Sequence, residues 1–404
     1  MSDQAEKGEW PSTTLPESWL WASFKDTWSD STNSTRKLKQ KEYLTEGPLP
    51  VVDQGEGLVG GFTDRNDLKN DVALPCIVFG DHTRAVKFID FEFAQGADGV
   101  KVLQPNDQYD PEFAYQALRC VRLPNKGYSR HFKFLKSTAF PIPPLPEQRR
   151  IVAKLDRLSA RSAAARDHLA RITKLAIRAK QAITRQLIRE RQWETAQFLD
   201  VCDAYQPKTI SKAQMQADGK YPVFGANGKI GFYDEFNHEH RELLVTCRGA
   251  TCGAVNISEP FSWINGNAMV IKGKADHFTL DFLRAYFSHG FDFSTVISGS
   301  AQPQITRQSL AKLRMPIVPM EEQEEIVRRI EAAFARIDRM TEEASRAAQL
   351  IDRLDERLLA KAFRGELVPQ DPEDEPAEAL LTRIRDARAA APKAKRGRRK
   401  KAEA

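Results

Sequence analysis

The sequence predicts an α+β protein built from two mixed α/β domains and two long helices. The helices pair antiparallel as a coiled coil, and the whole carries a pseudo-two-fold internal repeat. Three observations point there. PIPPLPEQRRIV at 141–152 and PIVPMEEQEEIV at 316–327 agree at seven of twelve positions, at an offset of 175. Apolar residues then recur at alternating spacings of four and three behind each phrase, with no Pro or Gly inside. The segments before the phrases echo each other faintly.

Each element follows from these. The first stripe runs Ile151, Leu155, Leu158, Ala165, Leu169, Ile172, Ala176, Ala179, Ile183. The second runs Ile326, Ile330, Ala333, Met340, Ala344, Ala347, Ile351, Leu354, Leu358; Ser162 and Ile337 fill the remaining slot. Five heptads of this kind predict a helix of about 44 residues, roughly 65 Å long. Prolines stiffen the lead-in, and Glu147 and Glu321/Glu322 suit the positive end of a helix dipole. Alanines in both seams allow close approach. The first helix region holds twelve Arg/Lys against four Asp/Glu, the second nine against ten. Such a pair can associate by charge, or the basic member can face phosphates, and both readings stay open.

Ahead of the helices, Trp19, Phe24 and Asp26 match Trp193, Phe198 and Asp200. GPLPVVDQGEGLVGGF (47–62) parallels YPVFGANGKIGFYDEF (221–236), and VALPCIVFGD (72–81) parallels RELLVTCRGA (241–250), aligning Gly80 with Gly249. Short β-rich runs between Gly, Asn and Asp predict compact, loop-rich domains. The expected order is a flexible N-terminus (1–11), a first variable domain (12–145), a first long helix (146–190), a second variable domain (191–319), a second long helix (320–365) and a tail (366–404). The tail carries a short helical pattern, and its end, APKAKRGRRKKAEA, is basic and expected to be disordered.

At 404 residues the chain exceeds one core, and a net charge of +6 permits a polyanionic partner. No apolar run spans a bilayer and MSDQAEKGEW is no targeting signal, so no membrane partner and a cytoplasmic location are expected. Five cysteines without C-x-x-C read as reduced thiols rather than a metal site. No phosphate loop, G-x-S-x-G, [ND]-P-P-[FY] or E-x-K appears, so catalytic and metal residues are expected to be absent.

Donors and acceptors on loops can read base edges, and cations can hold phosphates. The first domain offers Arg65, Asn66, His82, Thr83, Arg84, Lys87, Lys126, Tyr128, Arg130, His131 and Lys133. The second offers Asn227, Lys229, Arg248, Thr251, Asn265, Asn267, Gln302, Gln304 and Arg307. Asn and Gln suit adenine, and Arg suits guanine.

With the doubled P-I-x-P-x-x-E-Q-x-x-I-V phrase, the seam helices and LLAKAFRGELVPQ at 358–370, the chain resembles the specificity subunit of type I restriction–modification systems. The resemblance implies two target recognition domains, each reading half of a bipartite, asymmetric double-stranded DNA target. It implies helices that set the spacing and dock two methyltransferase subunits, which restriction subunits then join. S-adenosylmethionine would sit on the methyltransferases, and ATP with magnesium on the restriction subunits. It transfers no base-reading residues, because those loops diverge. The basic tail is longer than the pattern needs. Two other readings are a specificity subunit for fused cleavage and methylation, and a coiled-coil scaffold that binds proteins.

Overall fold

A computed structural model describes residues 7–127, 129–274, 277–299 and 302–390. The basic tail end at 391–404 lies outside the described residues. The chain forms two compact units, one of residues 1–166 with 349–404 and one of residues 167–348.

The first unit contains β1 (Leu20–Ser23), α1 (Phe24–Thr27), β2 (Trp28–Asp30), β3 (Leu49–Val52), β4 (Gly61–Thr63), β5 (Cys76–Gly80), β6 (Val86–Ile89), β7 (Ala94–Gln95), β8 (Val100–Pro105), α2 (Pro111–Cys120), α3 (Phe132–Lys136) and β9 (Ala139–Ile142). The long helix α4 (Leu145–Arg189) follows. The second unit repeats this order with β10 (Thr195–Gln197), α5 (Phe198–Val201), β11 (Cys202–Tyr205), β12 (Tyr221–Gly225), β13 (Gly228–Tyr233), β14 (Leu243–Thr246), β15 (Val255–Ile257), β16 (Trp263–Ile264), β17 (Ala268–Gly273), α6 (Leu280–Ala285), α7 (Arg307–Ala311), β18 (Arg314–Pro316) and the long helix α8 (Met320–Ala362).

Sheet topology repeats as well. The order β2-β8-β5-β6 has its counterpart in β11-β17-β14-β15. The order β4-β3-β7 corresponds to β13-β12-β16, and the pair β1-β9 to β10-β18. Ladder register corrects one expected match. Gly80 lies opposite Val100, while Thr246, not Gly249, lies opposite Ala268. The two glycines answer different needs. A Cβ on Gly80 would collide with the Thr83 hydroxyl, whereas Gly249 turns the chain at φ +88° in open space.

The repeated phrase becomes a clasp. Gln148 and Gln323 are fully buried. Gln148 accepts from the backbone N–H of Asp110, the N-cap of α2, and donates to the Pro143 carbonyl at 2.9 Å. Gln323 accepts from the N–H of Thr279, the N-cap of α6, and donates to the Val318 and His277 carbonyls, both at 2.7 Å. One amide thus ties the start of each long helix to the start of a short one.

The long helices pair antiparallel within each unit. In the first, Ser162 donates to Asp355 at 2.7 Å, and Arg166 bridges Asp352 and Asp355. In the second, Lys180 meets Asp338 at 2.6 Å, Arg329 meets Glu190, and Arg191 meets Glu322. Positions fall on one helix as they rise on the other. Met340 and Leu354, expected in the seam, are 58% and 50% exposed. The next residues, Thr341 and Asp355, are partly buried instead, so these two slots sit one residue later than the strict repeat places them.

The tail is part of the first unit. Phe363 packs on Trp10 and Phe113, with ring centroids 5.4 and 5.0 Å apart. Gln370 donates to Glu147 at 2.6 Å and accepts from Ser18. Arg150 holds Asp374 through two bonds. Helix α9 (Ala377–Ala390) buries Leu380, Leu381 and Ile384, and Arg388 donates to Asp26 at 3.0 Å. Gly8 through Trp10 are also held: Gly8 N–H bonds Thr138, and Glu9 pairs with Arg122.

Candidate nucleic-acid interface

In each domain several loops meet at the ends of β5/β8 or β14/β17. In the first, Thr83 donates to the Gln54 carbonyl at 2.6 Å, and the His82 N–H reaches the Gln54 side chain. The Asp81 N–H bonds the Gly99 carbonyl, and the Asp81 carbonyl accepts from the His131 N–H. Four stretches, near 54, 81–84, 99 and 130–133, therefore share one corner. Thr83, Arg84, Arg130 and Lys133 are exposed there, His82 is half-buried, and Arg84 takes φ +64° at the turn. Lys133 lies over the Phe134 ring at 4.7 Å. Lys126 is exposed on the loop leading into this stretch, and Tyr128 lies outside the described residues. Arg65 and Asn66 are exposed on a separate short turn, where Arg65 pairs with Asp67.

The second domain builds the same corner from other residues. Thr246 and Thr251 both donate to Asn227, at 3.2 and 2.8 Å. The Gly249 N–H bonds the Pro303 carbonyl, and the Ile305 N–H bonds the Cys247 carbonyl. Arg248 and Gln304 face each other as an isolated antiparallel bridge. Arg248, Gln304 and Arg307 line one cleft with Tyr205 and Asp203. Asn267 and Gln302 are exposed beside these strands, and Lys229 pairs with Glu259 at 3.5 Å. Tyr205, which sequence reasoning missed, is 39% exposed and bonds His238 at 3.0 Å. Burial and the Lys272 charge lower the His238 pKa.

Three of the twenty expected contact residues face inward, and their burial corrects the expectation that they present donors to a ligand. The Lys87 ammonium is 4% exposed and donates to the Asp53 carbonyl at 2.8 Å, and burial lowers its pKa against the Asp53 charge. His131 is fully buried, with Nδ1 3.0 Å from the Asp81 carbonyl. Asn265 is buried and clasps Ile210 through both its N–H and its carbonyl. Each was chosen by residue type, and each is spent on the backbone of its own domain. Among the described residues no group of His, Cys, Asp and Glu could hold a metal ion. No helix of the described residues is long and apolar enough to cross a membrane.

Each domain thus carries a fixed sheet with an exposed corner, Thr83, Arg84, Arg130 and Lys133 in the first and Arg248, Thr251, Gln304 and Arg307 in the second, the donor and acceptor chemistry of a sequence reader. A profile described as the type I restriction modification DNA specificity domain matches residues 30–174 and 190–346. The chain belongs to that family, and it is a DNA sequence-recognition subunit. It is 26% identical to the Type I restriction enzyme StySPI specificity subunit of Salmonella potsdam, over 96% of this chain and 99% of that one. It is 36% identical to the Type I restriction enzyme EcoDI specificity subunit of Escherichia coli, over only 26% of each chain. In fold it is similar to a solved chain from work on complex assembly and conformational transition of the type I R-M system. That match has a TM-score of 0.62 and 18% identity, over 88% of this chain and 100% of that one.

Proposed function

We propose that the two domains each read one half of a bipartite, asymmetric DNA target, while the paired helices fix the spacing between half-sites. The helices also dock two methyltransferase subunits, which restriction subunits join in the cytoplasm. The chain does no chemistry itself. S-adenosylmethionine belongs to the methyltransferases, and ATP with magnesium to the restriction subunits. The DNA contacts come from the exposed members of the twenty residues named above. One observation carries the reading: the order of strands and α-helices and the sheet topology repeat one for one, while the exposed corners differ. Two readers of unlike sequence on one frame suit an asymmetric target.

The test is modification of DNA by the chain with and without its methyltransferase partner. Alone, it is expected neither to methylate nor to cut DNA. With the partner, it is expected to protect one sequence of two fixed halves around a fixed gap. Methylation by the isolated chain, or a single uninterrupted target, contradicts the proposal.

A further inference from the structure

Backbone register superimposes the two corners without reference to side chains. Trp28 and Cys202 lie opposite Pro105 and Gly273. At the other end of those strands, Gly80 and Thr246 lie opposite Val100 and Ala268. The following residues, Asp81 and Cys247, therefore hold one place. A second observation agrees: the Asp81 carbonyl accepts the His131 N–H at 2.8 Å, and the Cys247 carbonyl accepts the Ile305 N–H at 3.0 Å. It follows that His82 corresponds to Arg248, and Arg130 to Gln304.

The frame beneath these positions is locked. Asp81 accepts the Phe132 N–H at 2.7 Å, and the Cys247 thiol donates to the Asn267 carbonyl at 3.2 Å. Three of the four side chains on top reach outward. Arg130, Arg248 and Gln304 are exposed, and among the described residues neither arginine has a carboxylate partner. Rigid mounts with unlike tips are what base discrimination needs.

We propose that His82 with Arg130, and Arg248 with Gln304, are the specificity-determining pairs of the first and second domains. Arg130 and Arg248 read guanine, and Gln304 reads adenine, in the major groove. The assignment rests on the two-reader function above and sharpens it to one pair per domain.

The test uses the full chain expressed with its methyltransferase partner, with modified bases mapped by sequencing. Arg248→Ala and Gln304→Ala are each expected to lower modification of the wild-type sequence about tenfold. They should also widen the accepted bases at one or two positions of a single half. Arg130→Ala should do the same to the other half. Lys41→Ala and Lys212→Ala, exposed elsewhere on the domains, should stay within about twofold of wild type. Arg248→Lys keeps the charge and loses the planar fork, so it should widen base choice while retaining the salt dependence. Unchanged base preference in the arginine and glutamine variants overturns the pairing, as does an effect of both domains' variants on the same half. If the wild-type chain directs modification to no bipartite sequence, the two-reader function itself fails, and the pairing with it.

Discussion

Gln148 and Gln323 each satisfy backbone groups that have no other partner among the described residues, in the buried joint between a short and a long helix. Gln148→Ala or Gln323→Ala leaves these groups stranded, and each variant is expected to cost about 1–3 kcal/mol in denaturant unfolding. Glu147, beside one clasp, behaves differently. Burial raises its pKa above the ordinary value of 4.5, against the opposing Trp19 and Gln370 bonds. The folded state then holds this proton more tightly than the unfolded chain does. The associated stability is fully present below 4.5 and is lost as pH rises through the folded value. Wild type should therefore lose stability relative to Glu147→Gln as pH is raised from 4 to 8; a flat difference contradicts this. The E-Q pair was legible as a repeated motif, but its role was not, because the partner N-caps lie 38 and 44 residues away. The inward turn of Lys87, His131 and Asn265 was equally hidden: residue type reports donors, and only packing reports where they point.

The long helices were the most legible elements, since a sustained heptad stripe has no other stable reading. The one-residue offset at Met340 and Leu354 was not legible from a strict repeat. Ala344 is 5% exposed in the second unit, so Ala344→Leu is expected to overpack the seam and cost about 1–3 kcal/mol. Met340→Leu, outside it, should be nearly neutral in the same unfolding measurement. The short helical pattern after residue 366 gave no hint of its berth. Leu380, Leu381 and Ile384 join the core containing Trp19, Trp28 and Phe140. Deleting residues 377–390 should therefore raise hydrogen exchange in β1 and β9 while leaving β10 and β18 at wild-type rates.

At the scale of the whole molecule, duplication gives one chain two readers on one plan. The plan was visible in the sequence through its rigid parts: the phrases and the helices. The loop alignment failed where Gly80 was matched to Gly249, because each glycine serves its own local geometry and neither marks a shared position. Phosphate contacts from the exposed Arg and Lys of the two corners should make binding of the partnered chain fall steeply with salt, by about 10³ or more between 50 and 200 mM for six contacts. The most direct test replaces residues 12–145 with the corresponding domain of another family member and maps the modified sequence. The account predicts that one half of the target changes while the other half and the gap persist; a change in both halves contradicts it.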